Sequence, residues 1–431
     1  MEILLKDISI ITMNEADEII EKGYLVISGD KIKEIGEGDA PGGSFDKIIE
    51  GGNKLAMPGF INTHTHAAMT LLRGYADDLP LMEWLQTKIW PLEEKLTEEH
   101  IYWGTMLAIA EMIKSGTTTF ADMYFCMDEV AKAVEKTGMR AVLSRGMVGI
   151  GLQSELALKQ SEELIKTWHN GADGRITFML GPHAPYTCPP NYLKKVIALA
   201  EKTGVGIHIH VAETKTEFED IKKQYGKTPV EHLESLGLFN YKVLAAHCVH
   251  LTENDMEIMN KHNVGVAHNP ESNMKLASGI APVPQMLKKG ITVALGTDGA
   301  SSNNNLDMLQ EMRTCALLHK VNTMDPTVLP AYEALKIATA NGAKVLGLEK
   351  KIGKLETGKK ADIIILDLDA PHIMPRYDLV ANVVYAAQAG DVNTVIIDGK
   401  IVMENREIKT FDEKEVLDKA ARIGWQLVKG Y

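Results

Sequence analysis

Eight short apolar runs, separated by stretches of helical period, limit what this chain can fold into more than any other feature. They are FINTHTH (60–66), TTTFADM (117–123), RAVLSRG (140–146), ITFMLGPH (176–183), GIHIHVAE (206–213), KVLAAHCV (242–249), VGVAHNP (264–270) and TVALGTD (292–298). The stretches between them have recognisable ends. Thr97 precedes EEHIYWGTMLAIAEMIKS, which stops at Gly116; Pro189-Pro190 precede NYLKKVIALAEKT, which stops at Gly204; Thr252 precedes ENDMEIMNKH. Eight buried strands alternating with helices fit a parallel α/β barrel, the (β/α)8 TIM type, better than an open sheet.

The flanks read differently. ILLKDISIITM and YLVISGDKIKEIGEG alternate apolar with polar residues, and Gly29-Asp30 sits in a hairpin-turn position. Pro58-Gly59 then punctuates the chain. Beyond a further helix, AYEALKIATANGAKVLG, a strand pattern returns in GKLETGKKADIIILDLD, VANVVYAA and NTVIIDGKIVMENREI, before a last helix around EKEVLDKAARIGWQLVKG. The expectation is a barrel over residues 58–350 and one small composite β-sandwich domain built from 1–57 and 351–431. The charged segment ETKTEFEDIKKQYGKT reads as a solvated helix face.

Composition removes several function classes. Lys plus Arg is 46 and Asp plus Glu is 58, a net charge of −12, which argues against a nucleic-acid partner. Cys126, Cys188, Cys248 and Cys315 form no CxxC pair and no disulfide framework. The N-terminus lacks a basic region ahead of its apolar residues, and no apolar stretch approaches the roughly 18 residues of a membrane helix. The chain reads as soluble and cytoplasmic, with a small molecule as its partner, and it is compatible with a homo-oligomer.

In a barrel of this type chemistry gathers at the C-terminal ends of the strands. Here those ends carry His64 and His66, Asp122, Arg145, His183, His210 with Glu213, His247, His268 and Asp298. His64 and His66 are two apart on a strand, so both project to one face and can converge on one ion. A third imidazole from the fifth strand and a carboxylate from the eighth complete three His and one Asp, a set suited to zinc, with iron(II) or manganese(II) as alternatives. His210 is nearer its strand end than His208, which reads as packed or supporting. Glu213 stands where a carboxylate can carry a proton from an activated water to the leaving side. His247 can hydrogen-bond the water or the developing oxyanion, and Asp298 reaches the barrel mouth. His100, His169, His232, His250, His262, His319 and His372 fall on helices or loops and read as structural; His268 is intermediate. ITFMLGPHAPYT offers no Lys to bridge two metals, so one divalent ion is expected.

Together PGFINTHTH, HIHVAET, AAHCVH, HNPESNMKLASG and GTDGASSNNNLD, in that order, resemble the amidohydrolase superfamily. GKLETGKKADIIILD resembles its return into the composite β-domain, and within it the chain is most similar to the 5′-methylthioadenosine/S-adenosylhomocysteine deaminases. The resemblance implies a metal on His64, His66, His210 and Asp298. It implies that Glu213 passes a proton to purine N1 while His247 and Asp298 orient and deprotonate the water attacking C6. It places Glu93, in WPLEEKL, at the ribose hydroxyls, and Arg145 and His183 at the substrate, the arginine near an amino-acid tail; GIGLQSELALKQ offers no second arginine for that tail. Met82, Trp84, Leu85 and Trp90 are candidates to cover the nucleoside. Deamination of guanine or another free base, hydrolytic dechlorination on the same scaffold, and a non-catalytic metal-binding scaffold are the rival readings. A ribose-binding Glu93 argues against a free base, and an intact ligand set with Glu213 argues against the silent scaffold.

Overall fold

The computed structural model describes residues 1–430 and gathers the strands into two hydrogen-bonded sheets. One is the barrel. Its strands are β1 (Phe60–Thr65), β2 (Thr117–Tyr124), β3 (Arg140–Met147), β4 (Ile176–Pro182), β5 (Ile207–Val211), β6 (Val243–His247), β7 (Gly265–His268) and β8 (Val293–Leu295). They pair in chain order and all in parallel, each on one of the eight apolar runs. β8 and β1 stand at the two ends of that order, and four hydrogen bonds join them. Thr63 Oγ1 donates to the Leu295 carbonyl (2.8 Å), and Asn62 Nδ2 donates to Thr297 Oγ1 (2.7 Å). The Thr297 N–H donates to Asn62 Oδ1 (3.0 Å), and the Asp298 N–H donates to the His64 carbonyl (2.9 Å).

One apolar cluster unites Ile61, Ala121, Val142, Met179, Leu244, Ala246, Ala267 and Ala294 from seven of these strands with Ala343 and Val345 of the helix Ala340–Leu346. Filling of this kind makes the barrel a packed core and leaves the strand ends for chemistry.

The second sheet has nine strands drawn from both ends of the chain. Glu2–Ile11 pairs with Ile19–Ser28, Lys47–Glu50 and Lys54–Pro58; the last of these pairs with Ile363–Asp367, which leads on to Val392–Ile397 and Lys400–Glu404. Its residues sort by parity. Ala56, Ile363 and Ile365 pack with Ile3, Leu5 and Ile27 inside the sheet, whereas Leu55, Met57, Ile364 and Leu366 face the main core. The alternation is the period-2 rule acting with both faces buried. Only Gly59 separates this sheet from β1, and a Cβ there would lie 2.1 Å from Thr118 Cγ2. Glycine is required by that close approach.

Two elements differ from the sequence expectation. VANVVYAA is not a strand but the helix Leu379–Tyr385, because Asp378 caps it (2.9 Å to the Ala381 N–H) and Val380, Val383 and Val384 are spaced to bury one helical face. AYEALKIATANGAKVLG is two helices, Ala331–Ala338 and Ala340–Leu346, broken at Thr339, whose backbone leaves the helical region and whose hydroxyl bonds the Leu335 carbonyl (2.7 Å).

Barrel and sheet are locked by one buried charge cluster. Arg140, at the start of β3 and 2 % exposed, donates from Nε to Asp362 (2.7 Å) and from Nη2 to Asp362 and Asp398 (3.0 Å each). Lys360 completes it at 3.0 Å from Asp398. Removing the arginine leaves two buried carboxylates short of a partner, so Arg140→Met is expected to destabilise the protein by about 3–5 kcal/mol. Denaturant midpoints of the variant and the parent check this; a change below about 1 kcal/mol would mean the cluster is not a clamp.

Candidate active site

Three imidazoles and a carboxylate meet at one end of the barrel. His64 and His66 lie at the end of β1, His210 on β5, and Asp298 just beyond β8. Ligand-capable atoms of His64, His66 and His210 lie within 4.8 Å of one another, and so do those of His64, His247 and Asp298. Each histidine is held from behind. The Nδ1 atoms of His66 and His210 donate to the carbonyls of Met123 (2.6 Å) and His183 (2.7 Å), and His64 Nδ1 is 2.8 Å from His208 Nε2. Those bonds fix the tautomer that leaves Nε2 free to face the centre. His64 Nε2 is a buried ring nitrogen without a hydrogen-bond partner, 3.5 Å from Asp298 Oδ1, and His66 Nε2 is 3.3 Å from the same oxygen. Burial lowers His64 to about 4 and holds His210 well below the usual histidine range. Three imidazoles whose Nε2 atoms converge beside one carboxylate oxygen fit a divalent ion with nitrogen and oxygen ligands.

Asp298 is oriented by its other oxygen, which accepts from Ser272 Oγ (2.6 Å) and Ser302 Oγ (2.9 Å). Burial alone would raise its carboxyl, but the His64 contact and the neighbouring imidazole charges outweigh it and hold the group well below the usual range. Opposite stands Glu213, with an oxygen 3.8 Å from His247 Nε2. Burial raises Glu213, the form that can carry a proton. Burial would lower His247, but Glu213 and Asp298 reverse this and raise it, and its Nδ1 is fixed by Asn273 Oδ1 (2.9 Å). His247 and Asp298 both adopt left-handed backbone (φ 72° and 61°), strain of a kind that clusters at functional sites.

Sequence reasoning missed the residues that hold these groups. Glu217, read as part of a solvated face, is buried, and its two oxygens accept from the N–H groups of Ala212 (3.0 Å) and Glu213 (2.8 Å). Thr214 caps the helix Lys215–Tyr225 by accepting from the Glu217 N–H, but a capping threonine ahead of a charged run does not tell which of its glutamates turns inward. Ser272, Ser302 and Asn273 carried no periodic signal. His208 has the supporting role expected of it. Asp122 faces away from the centre and accepts from the Ala67 N–H (2.7 Å) and Thr65 Oγ1 (2.9 Å), tying down the turn after β1. His268 pairs with His319 (3.2 Å) rather than joining the site.

A cavity of about 640 Å³ opens over the cluster. His66, His183, His210, Glu213, His247 and Asp298 line its reactive end. Its cover includes Trp84, Leu85 and Trp90 from the segment 81–93, where the π-turn Leu85–Ile89 interrupts the helical path; Met82 points outward. Glu93 lines the cavity and accepts from the Tyr124 hydroxyl (2.7 Å); burial raises its carboxyl. His183 is lowered to about 4 by burial. Arg145 is not brought to the cavity wall. Its guanidinium donates to Gln160 Oε1 (3.2 Å from Nε and from Nη2) and to the Gly146 carbonyl, above the Phe125 ring.

Residues 55–402 match the family model described as the amidohydrolase family. A 5-methylthioadenosine/S-adenosylhomocysteine deaminase of Syntrophomonas wolfei is 70% identical over 99% of this chain and 100% of its own length. One from Desulforamulus reducens is 59% identical over 98% and 99%. The chain belongs to the amidohydrolase family, among the 5-methylthioadenosine/S-adenosylhomocysteine deaminases. An adenosine deaminase from Xanthomonas campestris, solved with bound zinc, superposes with a TM-score of 0.95 at 34% identity, over 100% of this chain and 99% of that one.

Glu217 yields a prediction with two separable readouts. Burial raises its carboxyl from 4.5 to about 7, so between those values the folded protein keeps a proton that the unfolded chain releases. Stability is therefore greatest below the lower value and falls as pH rises through the upper one. Glu217→Gln, neutral throughout, should lose that dependence: its melting temperature relative to the parent is expected to rise between about pH 5 and about pH 8. A glutamine has one acceptor oxygen for two N–H donors, so turnover should fall at least about tenfold at either pH. A pH-independent stability difference would show that the carboxyl titrates normally.

Proposed function

We propose that the chain is a hydrolytic deaminase that converts the 6-amino group of 5′-substituted adenosines to the 6-oxo group with release of ammonia. The observation that carries this reading is the pairing, in one cavity, of the His64–His66–His210–Asp298 cluster with the buried carboxyl of Glu213. His64, His66, His210 and Asp298 would hold one divalent ion, zinc in the first instance, as the Xanthomonas campestris structure supports. That ion supplies Lewis-acid activation of water, bringing its pKa down towards about 7.

The rest of the chemistry belongs to side chains. Glu213, uncharged at the start, donates its proton to purine N1, which makes C6 electrophilic. Asp298 takes a proton from the attacking water through the oxygen that its two serines leave free. His247, fixed by Asn273, steers the water and hydrogen-bonds the new oxygen on C6. Asp298 passes that proton to the amino group, the C–N bond breaks with loss of ammonia, and the hydroxyl proton left on C6 returns to Glu213 as the 6-oxo group forms, so water plus substrate balance product plus ammonia. Glu93 and Tyr124 offer a ribose contact, and His183 faces the purine from β4. Arg145 has a supporting place, holding the wall through Gly146 and Gln160. A free base would make no use of the Glu93 oxygen that Tyr124 leaves open, which favours a nucleoside.

The test is a substrate panel. The metal-loaded protein is expected to release ammonia from 5′-methylthioadenosine or S-adenosylhomocysteine, and not from guanine or cytosine. No turnover of any adenosine derivative would sink the reading. Glu213→Gln should keep its metal content and lower turnover by about 10³-fold or more, since it removes the acid and leaves the ion. A chelator should abolish turnover, and stoichiometric zinc should restore it.

A further inference from the structure

The motif HNPESN opens on a histidine that the reaction leaves unused. His268 ends β7, and Cys315 and His319 stand four residues apart on the helix Met308–Thr323, so both lie on its buried face. All three side chains are buried. One ring nitrogen of each histidine and Cys315 Sγ lie within 4.8 Å of one another. We propose that these three residues form a second metal site, apart from the reaction centre, for one thiophilic ion of the zinc or copper(I) kind. The proposal does not rest on the deaminase reading.

Geometry and donor type carry it. The Nε2 atoms of His268 and His319 face each other at 3.2 Å. Two nitrogens on one zinc ion, at bond lengths of about 2.05 Å and a tetrahedral angle, stand about 3.3 Å apart. Two imidazoles with one thiolate are a set that soft ions prefer and that magnesium and calcium do not. Among the described residues neither Nδ1 atom has a hydrogen-bond partner, so either ring can move its proton there and present a bare Nε2. Burial holds His268 well below the usual histidine range and lowers His319 to about 4. It pushes the Cys315 thiol up, so the sulfur gives up its proton only to an ion. On binding, that proton leaves to water, and the proton between the two Nε2 atoms shifts to an Nδ1.

A divalent ion with one thiolate leaves one positive charge in a buried space. Glu311, one turn before Cys315 on the same buried face, supplies a carboxyl to offset it. Copper(I) with one thiolate is neutral and needs no such offset. Either ion would tie the end of β7 to the helix. His268 leads into the turn whose Ser272 and Asn273 hold Asp298 and His247, so the tie would also steady that turn.

The test uses the full-length protein produced in cobalt-supplemented medium, with cobalt(II) standing in for zinc. The reaction centre offers only nitrogen and oxygen ligands, so a thiolate-to-cobalt charge-transfer band can come only from a cysteine. The band is expected in the parent and in Cys126→Ser, which removes the exposed thiol, and is expected to vanish in Cys315→Ser. Metal content should fall by about one ion per chain in Cys315→Ser. Its kcat/KM should stay within about twofold of the parent, since none of the three residues touches the reacting groups. His319→Gln, which keeps the sulfur, should lose the same band. A second arm loads the protein with copper(I) under anaerobic conditions. About one copper per chain retained through gel filtration, and lost in Cys315→Ser, would assign the site to the monovalent ion. The cobalt band without retained copper would assign it to zinc. A parent with neither the band nor Cys315-dependent copper, or a band that survives either variant, would overturn the proposal.

Discussion

The join between β8 and β1 is the constraint on which the rest depends. Without it the barrel would be a curled sheet with two exposed edges, and the imidazoles of His64 and His66 would lie across a gap from the Asp298 carboxylate. Asn62, Thr63 and the His64 carbonyl supply the bonds to the other strand, so barrel closure and the imidazole cluster use neighbouring residues of one segment. Each such bond contributes about 1 kcal/mol net, a modest amount. Their geometric effect is larger. A register slip of one residue would turn Asp298 out of the lumen and separate its carboxylate from both histidines of β1.

Burial then sets the electrostatics. The imidazoles gathered at the centre would repel one another if charged, and burial holds His64, His183 and His210 below the usual histidine range. The negative groups divide by environment. Asp298, beside the His64 and His66 rings, is held well below the usual carboxylate range, while burial pushes Glu213 towards its acid form. Two carboxyls of one cavity are thus pushed in opposite directions, the pattern by which one site can hold both a base and an acid. The supporting groups act in the same direction. Main-chain carbonyls take the Nδ1 protons, serines take one oxygen of Asp298, and Glu217 grips the turn that presents Glu213.

How much of this was legible in the sequence follows from what each feature depends on. Strand positions and the residues at their ends depend on local period and chain order, and all eight strands fall on their apolar runs. His64, His66, His210 and Asp298 were readable because strand ends of a barrel converge. Glu217, Ser272 and Ser302 act through contacts that only the folded turns create, and a Glu in a charged run looks the same whether its face is solvated or buried. VANVVYAA carried both periods at once, and an aspartate cap decided for the helix. Arg145 shows the remaining limit. Its position at a strand end was clear, but four side-chain torsions separate its charge from its backbone, and Gln160 decides where that charge goes.

The arrangement separates reaction from selection. The titratable groups of the cluster sit on strand ends or on turns gripped by hydrogen bonds, and nearly all are buried. The outer part of the cavity wall comes from the segment 81–93 and the loop around Val148–Ile150, which have few such bonds and more exposure. Substitution at the second set changes the polarity of the mouth without disturbing a ring nitrogen at the centre. Substitution at the first set breaks a network in which each group fixes another. Over evolutionary change, one barrel of this design can therefore keep its hydrolytic chemistry while the substituent it accepts varies, and the cost of that variation falls on loops that contribute little to the core.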